Sequence, residues 1–504
     1  MKSFLPLVGL VILLPLGVDA QENSLLKGVL LKMNPRYRLM SDIHSNPAQR
    51  PLIEPATLSD FGVRLSLEEH KEPILYQDGR GRREMEIGAR TYVKQREDYS
   101  LWGHAAFTIA RRWGLKWISS ADPHRLYPYF LADTVGGKLT AEAYAFGGGV
   151  ARSWGRWHLG GEADYRAAQE FRVEDPRPRN ITSDLTTTVG VAYDLRDSYS
   201  IGVDGYLGSY QQKGDVSFYK VSGGIAELQM DGLGTHYARF DGGKSDLLHV
   251  QSYTGVRLTL LPRGDKGLMM NGGYCYSTLE RVMYGMNKVP INRYYLHEYP
   301  LTVIYTASTP KRYYAVGASV RWSHKQGWNN IISESTGDEY RILGKLPMFA
   351  DVRWETSLFG HYSLLYPKRR VEFTPSFTYY RREAEYLFPP RTLTLGILRG
   401  GLTSDITFVS SKALYRTSLT GGYSAPIRKE FAAELGRVAP FERRYAQTTY
   451  KRLTSHCLHI GLEQTIHYAL NSHLLLFTKL QGGVRLYDDR NRQVTGALTT
   501  GIYF

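Results

Sequence analysis

Hydrophobic and polar residues alternate along most of this sequence. Between Leu185 and Leu195 most odd-numbered positions are apolar, whereas the even-numbered positions carry Thr, Gly, Ala and Asp. The stretch from Val494 to Phe504 repeats this alternation and ends in an aromatic residue. A period of two residues is typical of a β-strand with one apolar face and one polar face. The pattern therefore predicts an all-β protein whose strands run from Asp60 to Phe504.

The connections between the alternating segments are short and long in turn. Short turns are predicted at eight places, namely Arg96-Glu97-Asp98, Trp154-Gly155-Arg156, Arg196-Asp197, Arg263-Gly264-Asp265, Thr309-Pro310-Lys311, Pro367-Lys368-Arg369, Ser411-Lys412 and Leu470-Asn471-Ser472. Eight hairpins give sixteen strands, and a first strand near 60–70 and a last near 492–504 raise the count to about 18, with 16 left open. Short turns on one side and long loops on the other are typical of a transmembrane antiparallel β-barrel.

A soluble β-sandwich array or a propeller is the competing interpretation. A propeller should repeat a motif about every 40 to 50 residues, and no such repeat is seen. The predicted strands also reach roughly 12 to 18 residues, whereas strands of globular proteins usually have about 5 or 6. The pattern therefore favours the barrel, with lipid on the apolar side of each strand and water on the other.

The N-terminal region divides into two parts. Residues 1–20 combine Lys2, an apolar run and the small residues Val18-Asp19-Ala20, a composition that indicates a secretory signal peptide cut before Gln21. Residues 21–58 lack the alternation and contain four prolines, which discourage helix interiors and central strands. We interpret this segment as a short non-barrel region, either a partial plug inside the barrel or a loosely ordered lead-in. The barrel itself is predicted over 59–504.

Composition and charge narrow the function. A net charge of +15 fits nucleic acid, heparin-like polymers or anionic lipid equally well. No basic run is interleaved with aromatic residues as a nucleic-acid reader would require. The mean hydropathy of -0.34 and the 37 tyrosines and 50 glycines fit a barrel with half of each strand in water. We therefore expect outer-leaflet lipid and lipopolysaccharide, and no nucleic acid, as partners.

The inner face of the barrel holds the candidate functional residues. Charged side chains within apolar strands have to reach water, so their parity assigns them to the lumen. The predicted lumen-lining residues are Arg64, Glu84, Glu86, Arg90, Lys94, Glu142, Arg257, Arg321, Glu372, Arg382, Glu463, Lys479 and Arg485. One interpretation is a constriction that selects solutes, with an anion bias from the excess of arginine. The other is a network of ion pairs that fills the lumen and conducts nothing.

Enzymatic chemistry finds no support in the sequence. The Gly-x-Ser-x-Gly elbow and the His-Glu-x-x-His zinc motif are absent. His459 and His467 fall on the lumen parity and His456 on the other, so these three histidines cannot form one metal site. We predict no enzymatic activity, no metal and no cofactor. Cys275 and Cys457 are far apart, and whether they form a disulfide is left open.

Features at both ends and two Gly-Gly-Tyr triplets carry a family resemblance. Gln21 after Val18-Asp19-Ala20, the triplets at 272–274 and 421–423, and the ending Gly501-Ile502-Tyr503-Phe504 resemble uncharacterised outer-membrane β-barrel proteins of the Bacteroidota type. The resemblance implies a location in the cell outer membrane. It also implies that Tyr503 and Phe504 form the C-terminal signal read by the barrel-insertion machinery.

Three functional hypotheses remain, and the first rests on this resemblance. Such barrels work beside TonB-dependent receptors and surface lipoproteins, so this chain is expected to be a channel or the barrel subunit of a nutrient-uptake assembly. The segment before residue 60 is too short for the usual plug of an energised TonB receptor. A closed scaffold that partners such a receptor or a secretion complex is the second hypothesis. A barrel-embedded hydrolase is the third and the least favoured.

Overall fold

The computed structural model describes residues 24–96, 98–219, 227–237, 246–284, 287–334, 340–433 and 440–504, except for the side chains of 440–442. The predicted signal peptide and Glu97 lie outside the described residues. The strands, in chain order, are β1 (Leu58–His70), β2 (Gly81–Arg96), β3 (Tyr99–Leu115), β4 (Leu131–Ala132), β5 (Gly137–Trp154), β6 (Trp157–Phe171), β7 (Arg177–Leu195), β8 (Tyr199–Ser217), β9 (Leu228–Gly232), β10 (Thr235–His236), β11 (Leu247–Pro262), β12 (Gly267–Met283), β13 (Val289–Thr309), β14 (Arg312–Ile332), β15 (Ile342–Leu365), β16 (Arg369–Tyr386), β17 (Arg391–Val409), β18 (Ala413–Ala433), β19 (Cys457–Asn471), β20 (Leu474–Tyr487) and β21 (Arg492–Tyr503).

Eighteen of these strands form one closed antiparallel sheet, and the short strands β4, β9 and β10 form a separate three-stranded sheet. The barrel closes because β1 pairs with β21 on one side and with β2 on the other. Phe61, for example, lies opposite Ala89 in β2 and opposite Ile502 in β21. The predicted fold class and the count of eighteen are confirmed, and the alternative of sixteen is excluded.

The outer face of the barrel is apolar. Leu207 and Val316 are each 69% exposed although they lie within long strands. Such exposure of many aliphatic side chains would be costly in water but suits hydrocarbon. Trp154 and Trp157 flank the turn at Gly155 and point outward, which is typical of the aromatic belt at a membrane surface. No helix within the described ranges is both long enough and apolar enough to cross a bilayer.

Short and long connections lie at opposite ends of the barrel. All eight predicted short turns join consecutive strands at one end of the barrel, which we call the short-turn end. The first residue of β1 and the last residue of β21 also lie at this end. The opposite end, the long-loop end, carries the longer connections. The connection between β6 and β7 comprises only residues 172–176, because Arg177 and Pro178 already pair with Ser217 and Val216 of β8.

Residues 24–57 lie inside the barrel at the short-turn end, and we call them the N-terminal belt. They contain α1 (Ser24–Lys32), α2 (Pro35–Ile43), a 3-10 turn (Pro47–Gln49) and α3 (Arg50–Ile53). Three of the prolines lie in the first turn of a helical segment, where no backbone N–H is needed, so they are compatible with these helices. Asn34 and Asn46 cap the first two of these turns through their side chains. The described residues of this segment are thus helical and lie in the lumen, whereas a role as a plug stays a prediction.

Connections from the long-loop end also fold into the lumen. The inserted loop, residues 116–136, carries α4 (Pro123–Leu126) and β4, and the inner hairpin, residues 227–237, carries β9 and β10. Helix α5 (Pro440–Leu453) lies beside them. Apolar and aromatic side chains from all three segments form a buried cluster against the inner wall, including Ile118, Tyr129, Met230 and Tyr445. The protein thus has a hydrophobic core inside the barrel as well as an apolar surface outside it.

Candidate functional site

Most of the predicted lumen residues lie on the inner face of the wall. Residues that pair across neighbouring strands lie on the same face of the sheet. Arg64 and Glu86 therefore share a face, and so do Arg321 and Glu355. The residues on the inner face are Arg64, Glu84, Glu86, Arg90, Lys94, Arg257, Arg321, Glu372, Arg382, Glu463, Lys479 and Arg485. Their placement agrees with the parity argument, whereas their contact with a solute stays a prediction.

Glu142 was assigned to the wrong face. It pairs with Ile109 of β3, which pairs in turn with Met85 on the outward face of β2. Its neighbours two and four positions on, Tyr144 and Phe146, are each 54% exposed on the outside of the barrel. The alternation of this strand is masked because its inward positions are mostly Ala and Gly. Glu142 lies near the long-loop end of β5, where the carboxylate is within reach of water.

Several of the inner-face residues are occupied in ion pairs that hold the belt or the wall. Glu372 accepts a bond from Arg38 of the belt at 3.0 Å, and Arg257 contacts Asp204 at 2.6 Å. Glu463 contacts Lys479 at 2.9 Å. Such pairs favour the interpretation in which interior charges satisfy one another. They leave these side chains with little capacity to bind a passing solute.

The inserted loop crosses the lumen and is anchored to the wall by polar contacts. Asp122 accepts hydrogen bonds from Arg166 at 2.9 Å and from Tyr210 at 3.0 Å. Burial works against the ionised form of Asp122, but the hydrogen bond and charge of Arg166 outweigh it, so the pKa of this carboxyl stays below its usual value. Arg125 forms an ion pair with Asp184 on β7. The loop is therefore fixed as a partition within the barrel.

Two adjoining water-accessible cavities run along the wall beside this partition. Their water-accessible volumes are ≈ 770 and ≈ 670 Å³, and both are lined by Glu68, Arg82, Arg485 and Gln493. Among the described residues, their linings contain six arginines and six carboxylates, namely Arg64, Arg82, Arg112, Arg125, Arg166, Arg485, Glu68, Asp78, Glu84, Asp122, Glu170 and Glu463. The charge is balanced, so these walls do not carry the predicted anion bias.

Part of the wall of the larger cavity consists of small side chains. Thr108, Ala110, Ala141, Ala143 and Ala168 line it from three neighbouring strands, and Arg125 of the inserted loop and Arg166 of β6 line it as well. Small side chains leave space for water where larger ones would fill the lumen. The pair of cavities, lined by charged residues and, in the larger one, by small residues as well, is the candidate functional site.

The inner hairpin depends on a buried ion pair that the sequence analysis missed. Arg281 and Asp231 are both fully buried, 3.0 Å apart. Asn292 accepts from Arg281 Nε at 2.8 Å, and Asn329 and Tyr386 donate to Asp231 at 3.1 Å each. Asp231 of β9 and Arg281 of β12 are 50 residues apart in sequence, so no local pattern connects them. A charged residue within the short apolar alternation Leu228–Gly232 was the available signal.

The described histidines and cysteines form no reactive site. His459 faces the smaller cavity, and His467 is buried near Tyr503, with 5.8 Å between ring centroids. No group of three or more His, Cys, Asp or Glu side chains suited to a metal occurs within the described ranges. Cys275 and Cys457 are free thiols. At the C terminus Tyr503 points inward and Phe504 is 56% exposed. The main-chain N–H and C=O of Phe504 form hydrogen bonds with the main chain of Ser59.

Comparison with known sequences gives a family but no function. The sequence model of a family of unknown function, DUF6850, matches residues 47–504. The chain belongs to this family. No curated protein matches the chain. This membership agrees with the predicted resemblance to a protein family without a known function. An origin in the Bacteroidota stays a prediction.

Solved structures with a similar outline are outer-membrane proteins. A mutant of the ferric enterobactin receptor PfeA from Pseudomonas aeruginosa shares 8% identity over 88% of this chain and 81% of that chain, with a TM-score of 0.37. The copper transporter OprC shares 9% identity over 86% and 62%, with a TM-score of 0.44. A bacterial polysaccharide outer membrane secretin shares 13% over 88% and 97%, with a TM-score of 0.34. These likenesses concern the barrel fold alone.

Proposed function

We propose that this protein is an outer-membrane channel that admits small polar solutes and acts in nutrient uptake. The observation that carries the proposal is the pair of adjoining cavities beside the inserted loop, which leaves a charge-balanced aqueous space inside a closed barrel. An apolar outer face and short turns at one end support the location in the outer membrane. In this function the N-terminal belt restricts the passage at the short-turn end.

The balanced charge favours solutes that are neutral or zwitterionic over strongly charged ones. A selective pore requires excess charge of one sign, as in rings of acidic or basic side chains. Here Arg112 is paired with Glu170 and Arg166 with Asp122, so the guanidinium groups are largely neutralised. Partners such as a TonB-dependent receptor and surface lipoproteins are part of the proposal only through the family resemblance.

The experiment is conductance in planar bilayers combined with thiol modification. Ala143→Cys is introduced into a Cys275→Ser, Cys457→Ser background, because Ala143 lines the larger cavity. A bulky, charged, membrane-impermeant methanethiosulfonate reagent should reduce the current of this variant. Tyr144→Cys is the matched control, since its side chain is the next in sequence and points to lipid. Absence of conductance in the parent, or equal effects on both variants, would refute an aqueous pathway that is open in the full chain.

A closed scaffold is the second candidate, and a specific observation favours it. The belt contacts strands around most of the barrel, and Arg370 donates to the carbonyl oxygen of Met33 at 2.7 Å while Arg38 binds Glu372. A scaffold would show no current in the full chain and would co-purify with a larger receptor in mild detergent. Conductance that appears only after removal of residues 24–57 would identify a gated channel instead.

A further inference from the structure

A separate pocket lies at the long-loop end of the barrel, outside the two cavities assigned to solute passage. Its water-accessible volume is ≈ 220 Å³. Residues of 71–80, the inserted loop, the inner hairpin, strands β15–β18 and α5 meet in its lining. Five segments that are distant in sequence therefore converge on one enclosed space.

Six of the eighteen described residues that line the pocket are Tyr or Phe. Tyr127 and Phe130 come from the inserted loop and Tyr380 and Phe431 from the wall, while Tyr445 and Tyr450 of α5 form the opposite side. Phe431 and Tyr450 are already stacked, with 5.3 Å between ring centroids. Aromatic faces at such distances provide flat, apolar surfaces on which another ring can pack. The pocket thus suits a flat apolar body better than an aliphatic chain or a hydrated ion.

The pocket floor has more positive than negative charge. Arg353 and Arg382 both line it, and both donate two hydrogen bonds to the single carboxylate of Asp351, at 2.7 to 3.1 Å. Two guanidinium groups share one carboxylate, so one positive charge is left uncompensated. The Arg353 side chain is 41% exposed and the Asp351 side chain 0%, so the N–H groups of Arg353 that do not bond Asp351 are accessible to a ligand.

Two more polar groups, on Lys325 and Thr449, lie at or near the pocket. Lys325 lies behind the floor and donates to the carbonyl oxygen of Tyr127 at 2.7 Å, and no described carboxylate lies within ion-pair distance of it. The hydroxyl of Thr449 lines the pocket but is buried without a hydrogen-bond partner among the described residues. Buried polar atoms usually have hydrogen-bond partners, so the unpaired hydroxyl of Thr449 is a candidate group for bonding a ligand in the pocket.

We propose that this pocket binds a small aromatic carboxylate. The carboxylate would accept charge-assisted hydrogen bonds from Arg353, and the ring would pack among Tyr380, Phe431 and Tyr450. A dianion such as a phosphate monoester fits less well, because the floor offers one net charge. The site lies at the long-loop end, so it is placed to capture a ligand from outside the cell, and it does not depend on whether the barrel conducts.

The experiment is isothermal titration calorimetry on the full chain in nanodiscs, with 2-naphthoate as the probe. One-to-one binding is expected, and 2-naphthalenemethanol, which has the same ring without the charge, should bind at least about tenfold more weakly. Arg353→Gln should cause a similar loss, because it removes the free donor while Asp351 keeps Arg382 as a partner. Arg321→Gln is the matched control on the inner face of β14 and should bind as the parent does.

The outcomes separate the proposal from its alternatives. Equal affinity of the parent and Arg353→Gln, equal affinity for the acid and the alcohol, or a heat signal matched by empty nanodiscs would each overturn it. Phe431→Ala tests the aromatic side independently and should weaken naphthoate, and unchanged binding would also overturn it. If Arg353→Gln fails to fold, the comparison of acid and alcohol on the parent decides. Conductance is measured separately, so failure of this site and failure of the channel are distinguishable.

Discussion

The two ends of the barrel are closed in different ways. At the short-turn end the closure is the N-terminal belt, a single segment that enters the wall only at Leu58 and is held by many small contacts. At the long-loop end the closure consists of loops whose two ends are both fixed in the wall. There the decisive contacts are few and buried, above all Arg281 with Asp231.

This difference concerns how each closure can open. The belt can leave the lumen without unpairing any strand, because strand pairing does not depend on it. The inserted loop and the inner hairpin move only if buried charges lose their partners, which is costly in a low-dielectric interior. The belt is therefore the movable closure and the loop assembly the fixed one. The following predictions test this distinction, from the largest expected effect to the smallest.

Arg281→Met should cause the largest loss. It leaves Asp231 buried without its cation, and breaking a buried pair in this way costs about 3–5 kcal/mol. Burial already raises the pKa of Asp231, so the loss should shrink as the pH falls and the carboxyl is protonated. Protease sensitivity of residues 227–237 and the denaturation midpoint measure the effect. Arg321→Met is the control, and a hairpin as resistant as in the parent would contradict the assignment of a fixed closure.

Gly160→Ala should detach the belt while the barrel stays folded. An added Cβ would lie 2.4 Å from the backbone nitrogen of Ala48, a clash that no side-chain rotation relieves. Overpacking of this kind costs about 1–3 kcal/mol. Gly161→Ala is the matched control, because the Cβ there meets only the Thr188 carbonyl oxygen at 3.9 Å. Cleavage of residues 24–57 by added protease should rise in the first variant alone, and equal cleavage would argue against belt contact at this strand.

Acid should loosen the belt through His44. Burial, and then the charges of Arg50 and Arg257, lower the pKa of His44 to about 3. The unfolded histidine takes up a proton near pH 6.5 and the folded one does not, so belt stability is full above that pH and falls as the pH drops toward 3. At pH 5 we expect a loss of about 1–2 kcal/mol. Protease cleavage at pH 7.5 and pH 5 measures it, and His44→Asn should remove the pH dependence.

Arg90→Gln should have the smallest effect. Arg90 contacts Asp60 at 3.4 Å, but its side chain is 75% exposed, and the pair belongs to neither closure. Exposed ion pairs contribute about 0–1 kcal/mol. The denaturation midpoint should stay within error of the parent, as should the cleavage of both closures. A clear loss would show that the wall itself, and not only the two closures, depends on interior charge.

The sequence by itself determined the wall of this protein. Successive side chains of a strand point to opposite faces, so the polarity of its neighbours predicts the face of each residue. The same pattern predicts eighteen strands and eight short turns. The parity argument failed at Glu142 because Ala and Gly carry little signal about the face they occupy. It also left the lumen residues without partners, since parity assigns a side and not a contact.

Only the tertiary structure decided what fills the lumen. Arg38 meets Glu372 across 334 intervening positions, and Asp231 meets Arg281, Asn329 and Tyr386 from three different strands. No local period encodes such contacts, because they form when loops and the N-terminal segment fold across a closed cylinder. The prolines of the belt illustrate the point, since each is compatible with an irregular lead-in or with the first turn of a helix. Packing against the inner wall selects the helix.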